Sequence, residues 1–464
     1  MRAPLLGSAL VCLLSAPAVA QDALPPATTA AIDKAAAAIL ARTAAPSASL
    51  AIVKEGRIAY LKAYGTADLA TKTAATPAMT YSIGSISKQF TAAAVLMLAE
   101  EGKLSLDDPV ARWFPQLTRA KDITVRQILS MTSGYRDYWP QDYVMPGMLK
   151  PTTPQAILDD WACKPLDFDP GTKWQYSNTN YVIAGQIVEK VSGQALLDFL
   201  RGRIFKPLGM TSVVDTDDAP LRPGEPMRYL RYALGPARPA PKEGRGWMFA
   251  AGELAMTAQD LARWDEAMIA GKLLKPSSWR LLETEVRLAD GAGTQYGLGV
   301  AVSLQDGRRL ISHSGEVSGF TAENMVYPDQ GVAVAVLTNL DATGASAELA
   351  GKAAQAVFAS GDAGTPAALA QARNIFAGLQ KGQLDRSLFT SDANAYFTER
   401  ALRDFASSLG PLGAPRTFTQ ASRGLRGGMV VRRFTATFPK RTLRIWTYTR
   451  PDGKLEQYMV AAGR

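Results

Sequence analysis

The chain is short of the residues that build metal sites and crosslinks. Its 464 residues hold one histidine, His313, and two cysteines, Cys12 and Cys163. A protein-built zinc site draws on several such ligands, so this composition argues against one. No cofactor of another kind is implied. Long apolar runs are also scarce. Leu5 to Ser15 is apolar for about eleven residues, short of the roughly 20 that cross a bilayer. It follows Arg2 and precedes Ala18-Val19-Ala20, the pattern of a signal peptide cut after Ala20. Lipidation at Cys12 would want a smaller residue than Val11 before it. The expectation is an exported protein, periplasmic or extracellular, with no transmembrane segment in the mature chain. With Cys12 removed, Cys163 has no intramolecular partner even where disulfides are permitted.

Evenly spread basic charge is missing too. The net charge is +9, yet residues 361–464 carry 16 Lys/Arg against 7 Asp/Glu, and residues 21–360 are near neutral. A nucleic-acid enzyme would flank its site with basic residues, so that class is not favoured. The C-terminal basicity fits either solvated strand faces or an anionic envelope partner.

What is present reads as a globular chain, 47% hydrophobic and 20% charged. An Ala-rich helix is expected over Thr29–Ala44. Strands follow at Ser47–Val53 and Arg57–Tyr64, around the Glu55-Gly56 turn. A helical, loop-rich middle runs from about Ser85 to Ala270. Strand signals return at Tyr296–Leu304, Arg309–Ser314, Phe320–Tyr327 and Val332–Leu337, and a helix over Ser346–Ala359 closes this part. Strands at both ends with helices between predict an α/β (α+β) fold. One antiparallel sheet joins the two strand groups, and a helical lobe packs beside it. A Gly/Pro-containing linker is expected at residues 359–366. Beyond it, helices over Pro366–Lys381 and Thr398–Ser408 precede strands at Thr417–Ala421, Met429–Phe438, Thr442–Thr449 and Leu455–Ala461. The expected division is a signal at 1–20, a main domain at 21–360 and a small basic α+β domain at 361–464.

Three short motifs carry chemistry. Ser85-Ile86-Ser87-Lys88 opens a helix with Phe90, Ala94, Met97 and Leu98 at helical spacing. Positions i and i+3 share a face, which puts Lys88 beside the Ser85 hydroxyl. A hydroxyl needs a neighbouring base, and lysine serves only if burial or charge lowers its pKa. Tyr176-Ser177-Asn178 follows the turn-forming Phe168-Asp169-Pro170-Gly171 and precedes a helix at Tyr181–Val191, so a loop should present the pair. Near cations, Tyr176 could relay a proton well below its usual pKa of about 10. His313-Ser314-Gly315 ends a strand, where Gly315 admits a close neighbour and edge N–H groups can donate to an oxyanion. Each motif alone is weak. Their order, on the elements each role needs, is what carries weight.

As a set they resemble the serine β-lactamase and penicillin-binding-protein superfamily, its class C and DD-peptidase branch. Tyr81-Ser82-Ile83-Gly84, Leu129-Ser130-Met131-Thr132-Ser133-Gly134, Pro207-Leu208-Gly209-Met210 and Tyr296-Gly297-Leu298-Gly299 look similar as well. The resemblance covers residues 30–360. It implies that Ser85 is acylated, that Lys88 and Tyr176 share the proton work, and that Asn178 orients the site. The N–H groups of Ser85 and Glu316 would form the oxyanion hole, with Ser314 and Gly315 at the substrate.

Two departures stand out. His313 replaces the lysine of β-lactamases, and its reference pKa of about 6.5 makes its charge conditional near neutrality. If an imidazolium is needed for a substrate carboxylate, activity should fall as pH rises through about 6–7. Met131 stands where many relatives have histidine. No candidate exists for the class A carboxylate loop. The aromatic cluster Tyr135, Tyr138, Trp139 and Tyr143 is expected to wall the cleft, with Tyr135 and Trp139 receiving an apolar acyl or D-amino-acid side chain; ordinary loop packing is the alternative. The leading reading is a serine hydrolase acting on an amide or ester, with a D-amino-acid peptide, a peptidoglycan-derived peptide, a short acyl ester or a β-lactam as candidate substrates. The other is a penicillin- or wall-peptide-binding sensor without turnover.

Overall fold

A computed structural model of the chain describes residues 24–217, 224–361 and 365–463. The expected signal peptide, Cys12, and linker positions 362–364 lie outside the described residues.

Helix α1 (Pro26–Thr43) starts on Pro26, whose fixed φ suits a first helical turn. It buries Ile32, Ala36 and Ile39 along one face and ends at Ala44, in the left-handed region. Strands β1 (Ser47–Lys54) and β2 (Arg57–Asp68) form the hairpin. A two-residue strand β3 (Thr73–Ala74) extends its edge. Strands β4 (Ala301–Gln305), β5 (Arg308–Val317), β6 (Phe320–Tyr327) and β7 (Val332–Thr338) follow far along the chain. Together they make one seven-stranded sheet in the order β3-β2-β1-β7-β6-β5-β4. The closing pair is antiparallel, with Ala48 opposite Thr338 and Val53 opposite Ala333. The two terminal strand groups therefore meet as the sequence predicted.

Strand β1 is buried from Ser47 to Val53 without alternation. Both faces of a central strand are covered, so both parities must be apolar. Ala51 and Val53 face the helical lobe, while Leu50 and Ile52 face α1 and α5 (Ala345–Gly361). Each fully buried Leu or Ile contributes about 1.5–3 kcal/mol. The lobe is built around α2 (Ser87–Glu100), whose residues from Ser87 to Leu98 are all buried. A helix apolar all round belongs in an interior. It packs on α3 (Asn178–Ser192), which Gly193 ends at φ 70°, and the lobe's α4 (Ala258–Ile269) lies against β1 and β7.

Residues 365–463 build a separate core. Helix α6 (Thr365–Leu379) packs on a four-stranded meander, β8 (Thr417–Arg426), β9 (Met429–Thr437), β10 (Thr442–Thr449) and β11 (Leu455–Ala462), and α7 (Glu399–Leu409) packs on α6. Phe376, Phe418, Phe434, Ile445 and Tyr458 fill it. Tyr458 donates its hydroxyl to the Ala372 carbonyl at 2.8 Å. Among the described residues, no helix is long and apolar enough to cross a membrane.

Several elements differ from expectation, among them β2, which runs on past Tyr64 to Asp68, and β5, which runs on past Ser314 to Val317. Strand β4 begins at Ala301, because Gly297 packs on the Leu282 carbonyl and Gly299 turns at φ 79° against the Lys88 carbonyl. Strand β8 runs five residues past Ala421, since a bulge between Gln420 and Ser422 lets pairing resume. Helix α5 continues through Ala359 to Gly361, so the expected linker begins inside a helix.

Candidate active site

Ser85 sits in a 3-10 turn, Gly84–Ile86, that runs straight into α2. Gly84 takes φ 51°, and a Cβ there would lie 2.7 Å from the Glu316 nitrogen. A Cβ on Gly315 would overlap the Ile83 carbonyl oxygen. Two glycines thus let strand β5 touch the turn that carries Ser85, and the Ser85 nitrogen lies close to this contact. The segment Ser85-Gly84 and the edge of β5 at Glu316 are brought side by side, as the oxyanion expectation requires.

One helical turn on, Lys88 is fully buried. Its Nζ lies 2.9 Å from Ser85 Oγ, 2.8 Å from Asn178 Oδ1 and 2.7 Å from the Ala251 carbonyl oxygen. The last two atoms can only accept. A neutral amine would spend both its N–H bonds on them, which turns its lone pair toward the Ser85 hydroxyl. Burial pulls the Lys88 pKa down to about 7, against the Asp137 carboxylate, which raises it. At neutral pH the amine and ammonium forms are therefore both populated.

Asn178 is the first residue of α3 rather than part of a loop, as Ser177 is already its cap. Its amide is fixed from behind. Asn178 Nδ2 donates to both oxygens of Asp137, each at 3.2 Å, and the Asn178 backbone N–H donates to Asp137 Oδ1 at 3.0 Å. Asp137 therefore caps α3 and aims the Asn178 carbonyl oxygen at Lys88. Sequence reasoning missed Asp137. The signal was a carboxylate set among the aromatics that follow Thr132-Ser133-Gly134.

The Tyr176 hydroxyl is sealed from solvent beside Ser85 and makes no hydrogen bond of good geometry. Burial holds its pKa well above the ordinary value, with the Ser85 hydroxyl pulling the other way. The lowered pKa expected for Tyr176 near cations is corrected: Lys88 lies 5.0 Å from its ring centroid, yet burial dominates and holds the pKa up. Tyr176 is a neutral phenol.

His313 is buried on β5. Its Nδ1–H donates to the Ser314 carbonyl at 2.6 Å, so Nε2 accepts from the Tyr296 hydroxyl at 3.0 Å. Burial first, then the Lys88 charge, pull its pKa down to about 4, with the Ser314 bond opposing. The charge expected to be conditional near neutrality is thus absent there: the ring is neutral and its two nitrogens are both engaged. Met131 also has a structural role. At φ 63° it accepts Gln175 N–H on its carbonyl at 3.0 Å and places its sulfur 3.5 Å from the Ser177 nitrogen.

A cavity of about 800 Å³ opens over these groups. Ser85, Tyr176, Asn178, His313, Ser314 and Glu316 line it, joined by Tyr138, Trp139 and Tyr143. Tyr135 is not in its wall: it is buried in the lobe and donates its hydroxyl to the Thr118 carbonyl at 3.1 Å. The aromatic cluster splits because the chain turns after Gly134, at φ 86° against the Phe168 carbonyl, sending Tyr135 inward and Trp139 to the cleft.

Residues 32–358 match the family described as Beta-lactamase. The chain belongs to that family. A D-aminopeptidase from Brucella anthropi is 29% identical over 306 residues, covering 64% of this chain and 56% of that protein. The chain thus spans a little over half the length of the curated relatives it matches. A solved D-stereospecific amidohydrolase from Streptomyces sp. is 29% identical, with TM-score 0.61, over 69% of this chain and 96% of that one. An octameric penicillin-binding protein homologue from Pyrococcus abyssi is 22% identical, with TM-score 0.61, and shares the fold over 93% of this chain and 99% of its own. That span reaches into the C-terminal unit.

Proposed function

We propose that this protein is a serine hydrolase that cleaves amides of D-amino acids or their peptides through an acyl-enzyme on Ser85. The observation that carries this reading is the buried Lys88 amine, 2.9 Å from Ser85 Oγ and held by two acceptors that leave its third direction to the serine. Similarity to proteins named D-aminopeptidase and D-stereospecific amidohydrolase supports the amide and the D configuration.

In the proposed cycle Ser85 Oγ bonds to the substrate carbonyl carbon as its proton passes to Lys88 Nζ. The oxyanion is met by the N–H groups of Ser85 and Glu316. The C–N bond then breaks, and the leaving nitrogen takes a proton from the Tyr176 hydroxyl, which Lys88 replenishes. Water then adds to the ester carbonyl as its proton passes to Lys88, the C–O bond to Ser85 breaks, and Lys88 returns that proton to Ser85 Oγ as the acid leaves.

Intact-mass spectrometry with an uncharged fluorophosphonate, alongside turnover of D-alanine p-nitroanilide, tests the proposal. Wild type should gain one adduct and release nitroaniline, and Ser85→Ala should do neither. A permanent penicillin adduct without turnover would instead favour the sensor reading. A folded protein inert to every probe would refute the acyl-enzyme.

A further inference from the structure

The charge around the cavity is one-sided. Four carboxylates line it, Asp137, Asp142, Glu316 and Asp341, and among the described residues lining it there is no lysine or arginine. The position where β-lactamases keep a lysine holds His313, whose nitrogens are both taken by Tyr296 and Ser314. The described wall thus offers a substrate carboxylate no lysine, arginine or free imidazole.

Among the four, Asp137 reaches deepest toward the chemistry, one amide group away from Lys88 through Asn178. Its two oxygens are unequal. Oδ1 accepts the Asn178 N–H at 3.0 Å, the Trp139 N–H at 3.1 Å and one Asn178 Nδ2 contact at 3.2 Å. Oδ2 accepts only the second Asn178 Nδ2 contact, at 3.2 Å. A carboxylate oxygen offers about two lone-pair sites, so Oδ2 keeps acceptor capacity that its one hydrogen bond does not use, and Asp137 lines the cavity. Glu316 and Asp341 are committed in part to backbone N–H groups, of Ala342 at 2.6 Å and Gly319 at 3.1 Å.

A second, independent feature marks the same space as a ligand site. The Tyr176 hydroxyl is buried beside Ser85 without a hydrogen bond of good geometry, and a buried polar group costs free energy unless something satisfies it. An amide nitrogen bound over Ser85 would do so. An aminoacyl amide has its leaving nitrogen and its α-nitrogen on opposite sides of the carbonyl carbon. One feature serves each: Tyr176 for the first, Asp137 for the second.

We infer that Asp137 anchors the α-ammonium of the substrate, so that the cleft takes amides and peptides with a free N-terminal amine and turns away those that present a carboxylate instead. This rests on the hydrolase reading above and names its substrate class. Asp137 is then a specificity-determining residue in addition to holding Asn178.

The test compares D-alanine p-nitroanilide with N-acetyl-D-alanine p-nitroanilide on the full chain, in wild type, Asp137→Asn and Asp137→Glu. A site built around a charged partner discriminates strongly against an analogue lacking it, so wild type should prefer the free amine by about 30-fold or more in kcat/KM. Asp137→Asn should shrink that ratio to within about threefold, chiefly through KM for the free amine, whatever loss the two substrates share. Asp137→Glu should recover part of the ratio. Equal losses on both substrates, with the ratio intact, would make Asp137 a positioning residue only and overturn the inference. So would a wild type indifferent to acetylation, or one that cleaves neither while Ser85 still takes the fluorophosphonate. Absence of that adduct on folded protein would sink the hydrolase reading itself.

Discussion

The pH dependence of Ser85 acylation is the sharpest consequence of the site. Lys88 is lowered to about 7 by burial, and only its neutral form can take the serine proton. His313, lowered to about 4, does not titrate between pH 5 and 8, and Tyr176 stays a phenol. Among Lys88, Tyr176 and His313, Lys88 is therefore the group that titrates in that range. The amine fraction is about nine-tenths at pH 8 and about one-hundredth at pH 5, so the acylation rate should fall about 90-fold, approaching tenfold per unit. An uncharged fluorophosphonate is the right probe, because its own ionisation cannot contribute; intact mass against time gives the rate, and circular dichroism at each pH guards against unfolding. Asp137→Asn supplies the cross-check. The Asp137 carboxylate raises the Lys88 pKa, so removing it should move the limb to lower pH. A rate flat from pH 5 to 8, or a limb that moves upward in Asp137→Asn, would show that Lys88 is not the base.

Other outcomes follow from single contacts. Gly315→Ala would place a Cβ on the Ile83 carbonyl and force β5 away from the Ser85 turn. Such overpacking costs about 1–3 kcal/mol, and kcat/KM should drop by more than about 100-fold; activity within twofold of wild type would mean the close approach is not needed. Tyr176→Phe removes the proposed donor to the leaving group, so kcat should fall about 10²–10⁴-fold with KM little changed. Because that hydroxyl is buried without a hydrogen bond of good geometry, the thermal midpoint should hold or rise slightly.

The sequence was most legible where spacing alone decides. Ser85 and Lys88 meet because i and i+3 share a helical face, and Gly315 is required because another backbone passes there. The run Val332–Leu337 read as a strand of a sheet joining both strand groups, and the structure pairs that strand with β1. Charge state was not legible, because it depends on how many layers lie over a group. Tyr176 was read as able to lose or relay a proton near cations and His313 as conditionally charged near neutrality, and burial shifts both toward their neutral forms. The Ala251 carbonyl carries no sequence signal at all: any residue at that point of the chain presents the same oxygen. Tyr135 and Trp139 differ by four positions in one aromatic run, and only the turn after Gly134 assigns one to the core and the other to the cleft.

The same burial that makes Lys88 a base also works against the fold. Moving its pKa from 10.5 to about 7 corresponds to about 5 kcal/mol at roughly 1.4 per unit. The sign follows from proton binding. Between about pH 7 and 10.5 the unfolded chain holds a proton on Lys88 that the folded chain has released, so stability rises with pH across that window. Below about 7 both states are protonated and the full penalty stays with the fold. Domains commonly have only about 5–15 kcal/mol of net stability. A penalty of this size needs offsetting burial close by, and α2 supplies it: Phe90, Val95, Leu96 and Leu98 are all sealed in the lobe core alongside Lys88. The helix that carries the base is thus also the most thoroughly buried in the lobe. Its packing keeps water from Lys88 and stabilises the fold against the charge it excludes.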